Sequence, residues 1–494
     1  IFEIMMLNFL ASNEPSNWPL LVLLLSVAWV VVGITKLRLH PFLTLMLASV
    51  MVGLLSCPLP EITAENKGLF HSRVDLPQSS QLDFVLAVKW SLLGFGNTAG
   101  GIGLIIALAA IVGTCMLKSG AADRIVRFLL SVFGIKRAGF VLLISGFLLS
   151  IPVFFDTVFF LLIPLARAMA VRTGGKYLFY VMAMAGAGAI THSMVIPTPG
   201  PLMIADGLGL EMGYALIGGL VASILPAFLV LFMAKWFDNK FEFPMRAVAG
   251  SSKKSLEIIV KKSDEELPSI FLSFLPIILP VVLIATTSVL RVLDSQGVNL
   301  GFVSPRSSNF CFSLLSFLGE PNIAMSLAAI SSVYILIKES LKDRFKEQMT
   351  VTSFLSKHLE EPLLTAGTII LITGAGGAFG GMIRLSGVGQ SIENLSYDFN
   401  ISYVLLAWIV TAIIRIAQGS ATVAMITGVG LMSAVLSNGS ELPYHALYIF
   451  LAIGFGSITL SWMNDSGFLV VQRLSGFTEK ETLRTWTVLL TAIS

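Results

Sequence analysis

Residues 216–234 read LIGGLVASILPAFLVLFMA, nineteen residues with no charge and a single serine. Coiled into an α-helix rising 1.5 Å per residue, such a run covers about 28 Å. That matches the ~30 Å of hydrocarbon in a bilayer. Comparable runs recur along the whole 494-residue chain, and charged residues make up only 12% of it. Backbone N–H and C=O groups inside a membrane must be satisfied within the protein. The chain is therefore read as an all-α polytopic membrane protein, which excludes a soluble enzyme core or a nucleic-acid binder.

Full crossings are expected near 19–36, 42–57, 84–117, 176–210, 213–235, 269–291, 321–338, 363–386, 443–475 and 479–494. The segments 84–117, 176–210 and 443–475 exceed one straight span and are expected to contain breaks or tilted ends. Two apolar stretches, 139–168 and 402–437, are too long for one span and too short for two, and each is read as a re-entrant hairpin. Lysine and arginine orient this threading. Segments 36–40, 118–137, 167–176, 235–268, 338–358 and 473–484 carry 25 of the 32 basic residues. The opposite face carries Lys67, Arg73, Lys89, Arg291, Arg306 and Arg384, and Arg415 falls inside the second hairpin. The positive-inside rule makes the first face cytoplasmic, with the N-terminus outside. Lys136, Arg137 and Arg167 then open the first hairpin to the cytoplasm, and Asp398 and Glu441 open the second to the exterior. Residues 1–18 lack a basic residue, so no secretory signal is expected. Cys57, Cys115 and Cys311 show no metal-ligand spacing and are read as small hydrophobes; no metal and no cofactor is expected.

The chain is written twice. MLKSGAADRI (116–125) resembles IRLSGVGQSI (383–392), and AGAITHSM (187–194) resembles FGSITLSW (455–462), at offsets of 267 and 268. Each copy runs span, amphipathic segment, hairpin, broken span, last span, and the copies begin on opposite sides. The expected architecture is an inverted-topology repeat. A first repeat over 1–235 holds hairpin 139–168 and broken helix 176–210. A polar linker over 236–268 is read as a solvated tether. A second repeat over 269–494 holds hairpin 402–437 and broken helix 443–475.

The breaks carry the chemistry. In AITHSMVIPTPG (189–200), Pro197 and Pro199 remove backbone donors and end the helix. In SITLSWMNDSG (457–467), Asn464, Asp465, Ser466 and Gly467 unwind it. Unwound backbone at membrane depth is tolerated only where it lines a protein cavity. The hairpin tips, SIPVFFDTVFF (150–160) and RIAQGSATVA (415–424), are expected to meet these breaks. A helix beginning after Gly419 places Ser420 at its N-cap, with free N–H groups suited to a carboxylate. Asp156 and Asp465 are expensive at membrane depth and are read as functional; the alternative is a hydrogen-bonded carboxyl at a helix break. His192 is a proton carrier, a substrate donor, or a packed cap of the break. Arg415 pairs with a substrate carboxylate or neutralises an acid such as Asp465. Thr157, Thr191, Ser193, Thr198, Gly200, Gly419, Ser420, Thr422, Asn464 and Ser466 complete the expected substrate-binding set, although small polar groups also serve helix packing. The glycine stretches GFGNTAGGIG (94–103) and GAGGAFGG (374–381) lack the context of a nucleotide loop, and close helix packing is expected for the second.

GAITHSMVIPTPGP (188–201), TGAGGAFGGMI (373–383), RIAQGSATVAMIT (415–427), AIGFGSITLSWMNDSGF (452–468) and ETLRTWTV (481–488) together resemble the gluconate permease family, within the ion transporter superfamily. The family is commonly Glu where this chain has Asp156, and His where it has Thr198; its members continue past the position of Ser494. The resemblance implies proton-coupled symport of gluconate or a related small hydroxy acid across a bacterial inner membrane, with D-serine in one branch. Asp156, Asp465 and His192 become the proton-coupling candidates. The superfamily implies an elevator-type mechanism, usually in a homodimer. The scaffold would then be spans 42–57, 213–235, 269–291 and 479–494. A sodium-coupled carboxylate transporter and a passive facilitator remain alternatives. No Walker or H-E-x-x-H sequence supports ATP-driven transport or an embedded protease.

Overall fold

The structure is a computed structural model that describes residues 18–56, 59, 83–152, 154–246, 267–295, 310–340, 350–388, 391, 402–436 and 444–494. Residues 247–266 of the expected linker, Cys57, and the charges Lys67, Arg73, Arg306, Asp398 and Glu441 lie outside the described residues. Every regular element among the described residues is helical. In chain order they are α1 (Trp18–Thr35), α2 (Pro41–Leu55), α3 (Asp83–Lys118), α4 (Ala121–Phe133), α5 (Ala138–Leu149), α6 (Phe155–Thr173), α7 (Tyr177–Met194), α8 (Pro199–Gly207), α9 (Met212–Ala222) and α10 (Ile224–Lys240). Then come α11 (Ile270–Ser295), α12 (Phe310–Leu318), α13 (Pro321–Glu339), α14 (Val351–Leu385), α15 (Tyr403–Gln418), α16 (Ala421–Leu436), α17 (Leu447–Gly456), α18 (Ser466–Ser475), α19 (Glu479–Thr482) and α20 (Val488–Ile493). Six of the described helical spans are long and apolar enough to cross a membrane.

The long segments resolve differently. Residues 176–210 break between α7 and α8, and 443–475 between α17 and α18. Residues 84–117 do not break: α3 is one helix of 36 residues. Both expected hairpins are helix pairs, α5–α6 around residues 150–154 and α15–α16 around Gly419 and Ser420. The amphipathic segment is α4, which meets the following helix at 109°.

Helix boundaries recur at one spacing. Helices α3 and α14 end at Lys118 and Leu385, and α8 and α18 begin at Pro199 and Ser466, both 267 residues apart. The Ser-Gly pairs that follow α3 and α14 place Gly120 and Gly387 in the same left-handed conformation, with φ of 81° and 75°. Glycine alone reaches that region without steric cost.

One compact unit comprises Ile1–Ile102, Gly207–Gly209 and Ile370–Ser457. Its core joins Leu45 and Val52 of α2, Ala87 of α3, Phe379 and Met382 of α14, Ile414 of α15 and Leu431 of α16. The two glycine stretches of the sequence face each other here. A Cβ on Gly94 would lie 2.9 Å from the Ala378 Cα, and one on Gly377 would lie 1.9 Å from the Thr98 Oγ1. Their lack of side chains lets α3 and α14 touch backbone to backbone.

The other unit comprises Gly103–Asp206, Leu210–Ile369 and Ile458–Ser494. Its central element is α7, buried throughout except at Phe179 and His192. The small residues of AMAGAGA admit neighbours closely. A Cβ on Gly146 of α5 would lie 2.6 Å from the Met184 carbonyl oxygen, and one on Gly186 would meet Val230 of α10 and Leu489 of α20. Spans 213–235 and 479–494, expected as scaffold, therefore pack directly on the broken span. On its outer side this unit shows a stripe of Val221, Leu225, Phe228, Phe232 and Trp236, between 43% and 78% exposed. So large an apolar stripe suits lipid, and the Lys240 ammonium 4.5 Å above the Trp236 ring ends it in the manner of an interfacial anchor.

Candidate functional site

The first break is held open by a hydroxyl. The Thr198 hydroxyl shares its one proton between the carbonyls of His192 (3.0 Å) and Val195 (2.5 Å), the latter also accepting the Thr198 N–H at 3.3 Å. Thr191, one turn earlier, donates to Ala187 of its own helix and to Phe147 at the end of α5. These hydroxyls fasten the break to the first hairpin. Ser193 is fully buried and its Oγ has no hydrogen-bond partner among the described residues. Gly200 is buried in the first turn of α8. His192 is half-buried at the end of α7.

The second break is organised around Asp465. Its Oδ1 accepts from the Gly467 N–H at 3.0 Å and so caps α18. Its Oδ2 accepts from the Ser461 hydroxyl. Ser461 in turn accepts from the Trp486 indole N–H at 2.7 Å, and its carbonyl accepts from Thr487. Asp465 is 4% exposed, while Asn464 and Ser466 beside it are exposed. Trp486 and Thr487 belong to a π-helical turn, Leu483–Thr487.

The first hairpin tip meets both structures. Phe155 stacks on Trp486 with ring centres 5.7 Å apart, and a Cβ on Gly188 of α7 would lie 3.0 Å from its ring. Asp156 stands in the first turn of α6, exposed, within electrostatic range of Asp465. No hydrogen bond among the described residues engages its side chain. The two carboxylates thus differ: Asp465 is committed to the break, and Asp156 is open. Thr157 follows on the same turn, half-buried.

The base of this hairpin is clamped. Arg167 is 4% exposed and donates to the carbonyls of Arg246 and Ser475, the latter also accepting from the Tyr177 hydroxyl at 2.8 Å. Arg246 forms a two-pronged ion pair with Glu481 at 2.6 and 2.9 Å, and Glu481 closes a capping box with Thr478.

The other unit holds the second tip. Helix α15 ends at Gln418, and Gly419 turns the chain with φ of 83°. The Ser420 Oγ accepts from the Val423 N–H at 3.4 Å, in the N-cap position expected of it. Arg415 is 3% exposed in the last turn of α15, and Thr422 lies in the first turn of α16. Gln418 is also 3% exposed, and neither its amide nitrogen nor its oxygen has a hydrogen-bond partner among the described residues. A buried amide left so is costly unless a ligand or bound water meets it.

The structure therefore brings Asp156, Thr157, Thr191, His192, Ser193, Thr198, Gly200, Asn464, Asp465 and Ser466 into one unit, and Arg415, Gly419, Ser420 and Thr422 into the other. Sequence reading missed Ser461, Trp486, Thr487 and Gln418 as members. Gln418 had a signal: it is a polar amide between apolar turns, adjacent to residues already singled out. Trp486 had none beyond its motif, because its bond to Ser461 joins residues 25 apart.

Helices interrupted at polar breaks, among six described spans long and apolar enough to cross a membrane, define the class as a polytopic membrane protein. The chain belongs to the GntP permease family: the family model described as GntP family permease matches residues 82–494. An uncharacterized permease of Haemophilus influenzae is 32% identical over 475 residues, covering 95% of this chain and 88% of its own. A gluconate permease of Pseudomonas aeruginosa is 31% identical over 481 residues, covering 96% of this chain and 95% of its own. Among solved structures, MtrF of Neisseria gonorrhoeae, from work on a class of antimetabolite efflux pumps, shares the fold with a TM-score of 0.56 at 14% identity, over 93% of this chain and 96% of that one.

Proposed function

We propose that the protein is a secondary active transporter that carries gluconate, or a closely related small hydroxy acid, into the cell together with a proton. The observation that carries the substrate is the near full-length relative named a gluconate permease. The observation that favours proton coupling is the unequal pair of carboxylates: Asp465 is engaged by Ser461 and Gly467, and Asp156 near it is open. A titratable side chain at membrane depth is the group a proton symporter needs. His192 is a second carrier on the same reading. The proposed substrate groups are Thr157, Thr191, Ser193, Thr198, Gly200, Asn464, Ser466, Gly419, Ser420, Thr422 and Arg415, with Gln418 added.

On this reading the two copies form an inverted repeat, each with its own hairpin tip and helix break. The recurrence of helix boundaries at 267 residues supports the repeat. The transport step is an elevator movement in a homodimer of the inner membrane, N-terminus outside, with spans 42–57, 213–235, 269–291 and 479–494 as the scaffold.

The test is uptake of labelled gluconate into proteoliposomes. Accumulation driven by an imposed proton gradient, and collapsed by a protonophore, is expected. Accumulation that needs sodium instead, or mere equilibration, assigns the sodium-coupled or facilitator alternative. Preference for D-serine would reassign the substrate.

A further inference from the structure

A cavity of about 190 Å³ lies beside the first hairpin tip, lined by Thr114 and Lys118 of α3, Pro152, Thr157 of α6, and Glu361 and Thr365 of α14, among others. Pockets for drug-sized ligands start near ~300 Å³, so this one fits a smaller molecule. Its polar lining is three threonine hydroxyls and one ion pair.

That pair is built asymmetrically. Pro362 lies inside α14 and has no N–H. The carbonyl four residues earlier, that of His358, is therefore left without its helical donor. Lys118 fills the gap: its Nζ donates to the His358 oxygen at 3.4 Å and stands 3.7 Å from the Glu361 carboxylate. The lysine side chain is 34% exposed and the glutamate 81%. Lysine is thus the anchored partner, held by a carbonyl that a proline has fixed. Glutamate is the loosely held one, since an ion pair so hydrated contributes little net binding. A carboxylate arriving in the cavity replaces Glu361 at small cost and gains the Thr114 and Thr157 hydroxyls, the Thr365 hydroxyl being already given to the Glu361 backbone carbonyl at 3.1 Å.

We propose that this cavity is a second binding site for small carboxylates, in which Lys118 exchanges Glu361 for the incoming anion. It rests on the transport reading above and places a waypoint beside the first hairpin tip, on the face where basic residues concentrate. The waypoint shares Thr157 with the proposed substrate groups and adds Lys118, Glu361 and Thr114. Lys118 is a binding residue there, and Glu361 is its displaceable lid.

The test uses a reporter thiol at Thr114→Cys, with Thr365→Cys as a second reporter should the first fail to fold. Cys57, Cys115 and Cys311 are replaced by alanine, and the protein is kept in detergent. Anionic and cationic methanethiosulfonate reagents are compared, each scaled to its rate with a free thiol. The anionic reagent is expected to react roughly three- to tenfold faster, the advantage one nearby cation confers at a wet site. Lys118→Met is expected to abolish that preference, and Glu361→Gln to enlarge it. Gluconate or lactate at millimolar concentration is expected to slow the anionic reagent with Lys118 present and not with Lys118→Met. A preference unchanged by Lys118→Met, or carboxylate protection that survives it, overturns the proposal. Vesicle uptake separates the two ideas: a wild-type protein with the Lys118-dependent preference but no gluconate uptake removes the transport reading and leaves the anion site standing.

Discussion

Asp465 shows how one side chain makes a break inside a membrane protein permissible. Its two oxygens satisfy an orphan helix N–H and a serine that also receives an indole N–H. Asp465→Ala removes the cap and leaves Ser461 without its acceptor, and is expected to cost about 2–3 kcal/mol in detergent-solubilised unfolding. Asp465→Asn keeps an oxygen for Gly467 and is expected to stay within about 1 kcal/mol of wild type. Equal destabilisation by both would mean that the negative charge, rather than the cap, holds the break. Gln418 makes the opposite case. Its amide has no partner among the described residues, so Gln418→Leu is expected to leave melting temperature unchanged or higher while lowering transport. A large drop in melting temperature would assign it to the core instead.

Helix termini were readable where the chemistry is local. Pro197 and Pro199 end a helix by what they lack, and Gly419 followed by Ser420 turns one by what each can adopt. The continuity of α3 was not readable, because segment 84–117 exceeds one straight span, and length alone does not tell a break from a tilted end. The roles of Trp486 and Ser461 were hidden because each depends on a distant partner. The glycine contact gives a paired test at this scale. A Cβ on Gly94 meets the backbone of Ala378 at 2.9 Å, which has nowhere to go, while one on Gly381 meets nothing within 4 Å among the described residues. Gly94→Ala is expected to destabilise by about 1–3 kcal/mol. Gly381→Ala is expected to be neutral or to stabilise by up to about 1 kcal/mol, since alanine is the better helix former. Thermal melts of the two variants beside wild type decide it; a tolerated Gly94→Ala would mean that α3 and α14 do not touch there.

At the scale of the whole molecule the proposed coupling predicts a dissociation of two activities. Asp156→Asn carries no titratable proton but keeps a polar side chain of the same shape. It is expected to exchange labelled for unlabelled gluconate across vesicles at near wild-type rate, and to lose most of the accumulation against a gradient. Accumulation that survives in Asp156→Asn passes the role to His192 or Asp465. A separate consequence follows from the burial of α7, and it concerns how the protein is made. The span that holds α7, built of alanine, glycine and methionine with a histidine near its end, is apolar enough to cross a membrane but less apolar than the span that holds α9 and α10. Emerging from the ribosome alone, it has less to hold it in the bilayer than the span that follows it. Its insertion is expected to gain from α5, made before it, and α10, made after it, whose close packing on its glycines would seat this span in company.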